Sequence, residues 1–441
     1  MGPARRGLKE RGTMEYLPLL LMFVFFAFNV PIAVSMGAAA LAYFMFKGDE
    51  LPLEIFAQRM ISPTDSFPLL AVPFYTLAGV IMNHAGITRR LMGLADALVG
   101  HLHGALAQVN VLLATLMGGL SASANADAAM QAKMVGPEMI RRGYTPAFAA
   151  AITACAAVIT PIIPPGIGFI IYGFIADVSI GRLFLGGVVP GLMVCVFLML
   201  TVHVIAKRRG YKPQRTSMPP AREVRTAFVD ALGALSIALF IVVGIRYGIF
   251  TPTEAGALAV LYAVFVGAVW HRELKLSHAY PILLEATLAT SVIMLIICCA
   301  SAFGYYMTWE RIPPKIAAWI VSLTREPAIL LLIINLLLIV VGMLIEGTAA
   351  LILLTPILVP VVTKLGVDPV HFGLIIVLNL TIGGVTPPVG TLMYTTSAIL
   401  RVPLDKFTRE ALPFLGAMFL VLFLITYIPG LVLWLPNWAF G

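Results

Sequence analysis

Charge is scarce in this 441-residue chain: Asp, Glu, Lys and Arg make up 11%, against 60% hydrophobic residues. A soluble domain carries about a quarter charged residues because its surface must face water, so most of this chain is not such a surface. Cysteine is also rare. Cys155, Cys195, Cys298 and Cys299 all sit in apolar runs, where Cys acts as a small hydrophobe, and neither a disulfide framework nor a metal site is read from them. The seven His show no ligand spacing, and His101 and His103 lie in a loop. There is no H-E-x-x-H and no G-x-S-x-G, which argues against a zinc or serine hydrolase of the membrane. No stretch interleaves basic with stacking aromatic residues, so the net charge of +8 does not point to nucleic acid. In a membrane protein, Lys and Arg gather in cytoplasmic loops instead.

What the chain does have is apolar length. Stretches able to cross a hydrocarbon core of about 30 Å recur from Leu17 to Ala439, and the mean hydropathy is +0.98. The chain reads as an all-α, multi-pass protein of a lipid bilayer. The first apolar run continues to Phe46, far beyond the h-region of a cleavable signal. The polar residues 1–13 read as an N-terminal extension ahead of a second methionine, Met14. A polar loop, 207–228, then divides the chain into halves 14–206 and 229–441. It carries Lys207, Arg208, Arg209, Lys212, Arg215, Arg222 and Arg225 against Glu223, a cytoplasmic signature.

The halves repeat each other. Residues 29–44 resemble 250–265, GLSASANADAA (119–129) occupies the place of GMLIEGTAALI (342–352), and TPIIPPGIGFIIYG (160–173) matches GGVTPPVGTLMYTT (383–396). Asn125 and Pro165 lie 40 residues apart, as do Thr348 and Pro388. Segments 104–140 and 328–363 each hold two apolar runs of about 15 residues, short for the roughly 20 a full span needs, and read as re-entrant hairpins. That leaves about ten transmembrane helices, five crossings per half. An odd number inverts the second copy. With the basic loop inside, both termini fall outside, in spite of Arg5, Arg6, Lys9 and Arg11.

Two spans are interrupted. Segment 145–178 meets Pro161, Pro164, Pro165, Gly166 and Gly168, and segment 370–399 meets Gly383, Gly384, Thr386, Pro387, Pro388 and Gly390. Paired prolines remove donors and clash with the preceding turn, so each helix breaks there. Unwound backbone is tolerated at membrane depth only inside protein or beside a watery cavity. Its carbonyls can ligate a cation, and the next half-helix presents N–H groups to an anion. A simple proline kink is the plainer reading, set against the recurrence of the break at matched positions. The hairpin tips add Ser121, Ser123, Asn125 and Asp127 in one copy and Glu346, Gly347 and Thr348 in the other. These are hard oxygen donors suited to Na⁺, and ionisable groups within a membrane are functional candidates by default. The alternatives are helix–helix hydrogen bonding for Ser and Asn, and capping of the returning hairpin arm for Asp127. Glu346 is harder to explain structurally. Asn379 and Thr381 rank below the tips, and Arg182 and Arg401 read as membrane-edge anchors.

In SASANADAAMQAKMVGPEMIRRGYTPAFAAAITA (121–154), IIPPGIGFIIYG, SIGRLFLGGVVPG (179–191) and LTPILVPVVTKLGVDPVHFGLIIVLNLTIGGVTPPVG (354–390), the chain resembles the large membrane subunit of tripartite ATP-independent periplasmic (TRAP) transporters. The resemblance covers nearly all of it from Met14. It implies an elevator-type secondary transporter of a prokaryotic inner membrane, working with a small four-helix membrane subunit on a separate chain and a periplasmic substrate-binding protein. It implies Na⁺-coupled uptake of an organic acid, with two or more Na⁺ sites. The family's cation ligands fall here on Ser121, Ser123, Asn125, Pro165, Gly166, Glu346, Gly347, Thr348, Thr386 and Pro388. Asn125, Asp127, Gly166, Thr386 and Gly390 are the substrate candidates. Many relatives have Ser where this chain has Gly166, which puts a hydroxyl ligand there in question. The unlike tips imply cation sites of unequal strength. A single-component Na⁺- or H⁺-coupled anion carrier is the alternative, and an intramembrane enzyme a remote one.

Overall fold

The computed structural model describes residues 3–28, 30–118, 123–215, 217–323 and 326–441. Among them, regular structure is helical throughout, with no strand. Helix starts are written locally. Thr145, Thr251 and Asp368 each cap a helix with a side-chain oxygen, and each is followed by a proline at the first helical position, where the missing N–H removes nothing. Thr251 and Glu254 complete a capping box.

Six crossings are long apolar helices: Phe67–His84, Ile180–Arg209, Ala221–Arg246, Pro252–Trp270, Leu276–Trp309 and Leu404–Tyr427. Two shorter ones are Glu15–Ala27 and Ile32–Lys47. The last two are broken: Pro146–Ala157 continues after the break as Ile167–Ala176, and Pro369–Gly383 as Thr391–Leu400. The arms of the first hairpin are Ala105–Met117 and Ala124–Met134, and those of the second are Pro327–Leu344 and Gly347–Lys364.

The second hairpin is longer than expected. The second pair of arms has 18 residues each, about 27 Å at 1.5 Å per residue. That is long and apolar enough to cross. The arms of the first hairpin, with 13 and 11 residues, are too short to cross, as expected. For the second, contacts rather than length make it re-entrant. At the base of the first, Gly104 N donates to Tyr211 O (3.3 Å) and Gln214 N to Gly100 O (3.1 Å). At its exit, Thr145 N donates to the Tyr211 hydroxyl (3.5 Å), and the Tyr144 and Tyr211 rings lie 4.3 Å apart. Both ends therefore rest on the basic linker. The second hairpin is anchored at the far end of Leu404–Tyr427. There Tyr427 donates to Ala328 O (3.0 Å), and His371, just past the exit, bonds Ile425 O (2.7 Å). The start of that helix lies at the linker, where Glu410 pairs with Arg209 (2.8 Å). The two hairpins thus enter from opposite sides, as inversion of the repeat requires.

Each broken helix is shared between repeats. The returning arm of the first hairpin packs on Thr391–Leu400, and that of the second on Ile167–Ala176. Hairpins and breaks form one block. Helices Ile32–Lys47, Phe67–His84, Pro252–Trp270 and Leu276–Trp309 pack on one another beside it.

Candidate functional site

Ser123 and Glu346 hold equivalent places in the two repeats, 223 residues apart. Ser123 caps Ala124–Met134, accepting from Ala126 N at 3.4 Å. Glu346 caps Gly347–Lys364, accepting from Ala349 N at 3.0 Å. Two expectations change. Asp127 is not the cap; it sits buried in the first turn that Ser123 caps. Glu346 has an ordinary structural role alongside any chemical one. It is exposed, so its charge is not hidden in apolar surroundings.

The breaks match as closely. Gly166 and Gly390 are the N-caps of the following ten-residue half-helices. Each half-helix ends at a non-glycine residue in the left-handed region, Asp177 and Arg401, both with φ 53°. Asp177, not Arg182, is therefore the positional counterpart of Arg401. Arg182 instead donates to Asn437 Oδ1 (2.6 Å) and lies 3.9 Å from Asp368. The peptides Pro164–Pro165 and Pro387–Pro388 are both cis. The second break holds one more residue, Val389, between its prolines and its cap.

At both caps the loop folds tightly onto itself. A Cβ on Gly166 would lie 2.2 Å from Pro161 O, and one on Gly390 2.5 Å from Gly384 O. There is no room for a hydroxyl-bearing side chain at 166, so this position offers backbone alone. Among the described residues, no backbone N–H donates to the carbonyls of Pro161–Pro165 or of Val385–Val389. Thr386 turns its hydroxyl to its own helix, donating to Ile382 O at 2.9 Å.

The tips and breaks meet at a cavity of about 580 Å³. Ser123, Asn125, Glu346, Gly347 and Thr348 line it, with Pro161, Thr381 and Gly384 from the breaks. Asp127, Pro165, Gly166, Thr386, Pro388 and Gly390 do not, although the neighbours of both cap glycines do. Ser121 lies outside the described residues. Asn125 ties the repeats together, its amide nitrogen reaching Thr391 Oγ1 at 3.4 Å. Its buried Oδ1 has no hydrogen-bond partner among the described residues, an oxygen suited to a cation. Sequence reading missed Thr391, Thr76 and the facing wall from Leu276–Trp309 (Ala289, Val292, Ile293, Ile296). Thr391 follows a glycine after paired prolines, so its place at a half-helix N-terminus was a usable signal. Thr76 and the aliphatic wall carried none.

The repeats differ below the tips. Gln108, Asn110, Gln131, Thr153 and Thr160 are all buried around the first hairpin. Their counterparts, 223 residues on, are Leu331, Ile333, Leu354, Ile376 and Gly383. Four of these polar residues keep an unpartnered atom among the described residues, and Gln131 has two. Asn110 still donates to Thr153 Oγ1 (2.6 Å) and Gln108 to Met199 O (2.9 Å). The fewer polar residues around the second hairpin bond one another, with Asn379 Oδ1 left without a partner among the described residues. Asn379 donates to Asn335 Oδ1 (2.8 Å), and Asn335 to Thr426 Oγ1 (3.1 Å).

Two inverted repeats with apposed hairpin tips and unwound helices around a central cavity have the architecture of a membrane transporter. The chain belongs to the DctM component of the tripartite ATP-independent periplasmic transporters, whose family model matches residues 19–431. It is 40% identical over 415 residues to the sialic acid TRAP transporter large permease protein SiaM of Vibrio cholerae, covering 94% of this chain and 96% of that one. It is 38% identical over 406 residues to the C4-dicarboxylate large permease protein DctM of Pseudomonas aeruginosa, covering 92% and 94%. Against the isethionate permease protein DctMQ of Oleidesulfovibrio alaskensis it is 39% identical over 421 residues, 94% of this chain but 66% of the relative. A solved structure, the YdaH transporter of Alcanivorax borkumensis, matches with a TM-score of 0.64 over 96% of this chain and 100% of that one. At 15% identity that likeness is one of fold. The chain is a transporter permease subunit and not an enzyme.

Proposed function

We propose that this subunit takes up an organic acid across a prokaryotic inner membrane, coupled to Na⁺, by moving its hairpin-and-break block against the remaining helices. A small membrane subunit would brace those helices, and a periplasmic binding protein would deliver the substrate. The linker would face the cytoplasm and both termini the periplasm. The relatives named for sialic acid and C4-dicarboxylates support an organic acid as cargo.

The observation that carries the reading is the composition of the cavity walls. One wall is made of tips and breaks from both repeats, the other of helices outside them. A boundary of that kind lets a rigid block slide while carrying its ligands. Asn125 Oδ1, Thr348, the Glu346 carboxylate and the loop carbonyls would hold Na⁺, and the half-helix N-termini would face the substrate carboxylate.

The test is uptake of labelled acid into proteoliposomes holding both membrane subunits, with the loaded binding protein outside. Uptake should require an inward Na⁺ gradient. Uptake indifferent to Na⁺ would refute the coupling. Uptake undiminished without the binding protein would favour a single-component carrier.

A further inference from the structure

The charges around the cavity restrict what it can hold. Among the described residues lining it there is no Lys, Arg or His, and Glu346 is the one charged side chain. An anionic substrate therefore meets helix N-termini and co-bound cations rather than a guanidinium. The two half-helix N-termini are not equally available. In the second, Leu392 N and Met393 N already donate to Gly384 O (2.8 and 3.4 Å). In the first, Phe169 N bonds Gly166 O (3.1 Å), and among the described residues the N–H groups of Ile167 and Gly168 donate to no backbone carbonyl outside their helix. Both residues line the cavity. One N-terminus is open, enough for one carboxylate.

The opposite wall is aliphatic: Ile32, Val34, Val292, Ile293 and Ile296. A second carboxylate placed against it would be stripped of water without a partner, a heavy penalty. One polar side chain interrupts that wall. Thr76 is 1% exposed, and its Oγ1 has no hydrogen-bond partner among the described residues, so a buried hydroxyl is left for a ligand to satisfy.

We infer that the substrate is a monocarboxylic acid with an apolar body and one hydrogen-bonding substituent, hydroxyl or oxo. Its carboxylate sits on the Ile167–Gly168 N–H groups, its body lies along Val292 and Ile296, and its substituent bonds Thr76. Dicarboxylates and polyhydroxylated sugar acids are excluded by the same wall. This assignment rests on the transport reading of the same cavity.

The experiment measures thermal unfolding of the purified full-length chain in Na⁺, titrated with 4-methyl-2-oxopentanoate, succinate or N-acetylneuraminate. The oxo acid should raise the unfolding temperature. Thr76→Val should weaken its apparent affinity about 5-fold, the worth of one net hydrogen bond, while Val292→Arg should let succinate bind. If succinate or N-acetylneuraminate stabilises the wild type as well as the oxo acid does, the substrate class is overturned and the transport reading survives. If no acid stabilises the chain in Na⁺ while the three-component proteoliposomes still take up acid on a Na⁺ gradient, the substrate assignment falls and the transport reading stands. If that uptake is absent too, both fall.

Discussion

Replacing Gly166 by Ala tests the geometry of the first break directly. The added Cβ would stand 2.2 Å from the Pro161 carbonyl oxygen, about 1 Å inside normal contact. The obstacle is backbone, which no rotamer change can move, so the loop must open. Overpacking of this kind typically costs about 1–3 kcal/mol. The loss is not only of stability, because the carbonyls of Pro161–Pro165 move with the loop that presents them. Gly390→Ala should behave alike, with 2.5 Å to Gly384 O. Gly416→Ala, which meets nothing within 4 Å, is the control and should be near neutral. The assay pairs detergent-solubilised unfolding temperature with the initial rate of Na⁺-driven uptake. Both break variants should unfold earlier and lose most uptake, and Gly166→Ser should be at least as damaged as Gly166→Ala. Wild-type stability and uptake in Gly166→Ala would refute the reasoning.

Other outcomes follow from the same structure. Ser123→Ala should lower stability by about 1 kcal/mol through loss of a cap. Glu346→Gln keeps a cap acceptor but removes the charge, so it should leave the unfolding temperature nearly unchanged while raising the Na⁺ concentration for half-maximal uptake. Gln131→Leu, the residue type at its counterpart Leu354, should raise the unfolding temperature, because a buried unsatisfied amide costs about 1–3 kcal/mol. In the loop after Trp270, burial first and the Arg90 guanidinium second hold the His271 pKa below its ordinary value, against Glu273 and Asp230. Its unfolded form titrates near 6.5 and so binds protons more readily than the folded one. That contribution is present above about pH 6.5 and lost as pH falls. The unfolding temperature should therefore drop between pH 7.5 and 5.5, and His271→Gln should flatten the drop.

Much of the architecture is legible in the sequence because membrane folding rules are strict. Apolar length marks the spans, and paired prolines mark the two breaks, since neither pair can continue a helix. The spacing between tip and break exposes the repeat. The site is less legible. Thr76 and the aliphatic wall face the cavity only because Phe67–His84 and Leu276–Trp309 pack beside the breaks, and nothing local to either helix announces that. Asp127 looks like a cap because a carboxylate near a helix start is a common one. The cap falls four residues earlier, where extended backbone at Ser123 (φ −146°, ψ 119°) turns its hydroxyl onto the first turn. Glu346 looks unexplained until the returning arm begins one residue later. Hairpin length is ambiguous for the second pair of arms, and only tertiary contact at Tyr427 and Ile425 shows which side they return to.

The central claim is that the block bearing the hairpin tips moves relative to the wall bearing Val292. Leu351 on the returning arm of the second hairpin and Leu295 on that wall both line the cavity, and neither is assigned a part in holding Na⁺ or substrate. Cysteines at these two positions, in a background lacking Cys155, Cys195, Cys298 and Cys299, can be joined by a cleavable bifunctional thiol reagent. The account predicts that joining them stops Na⁺-driven uptake and that cleaving the link restores it. Full uptake by a completely cross-linked protein would contradict it.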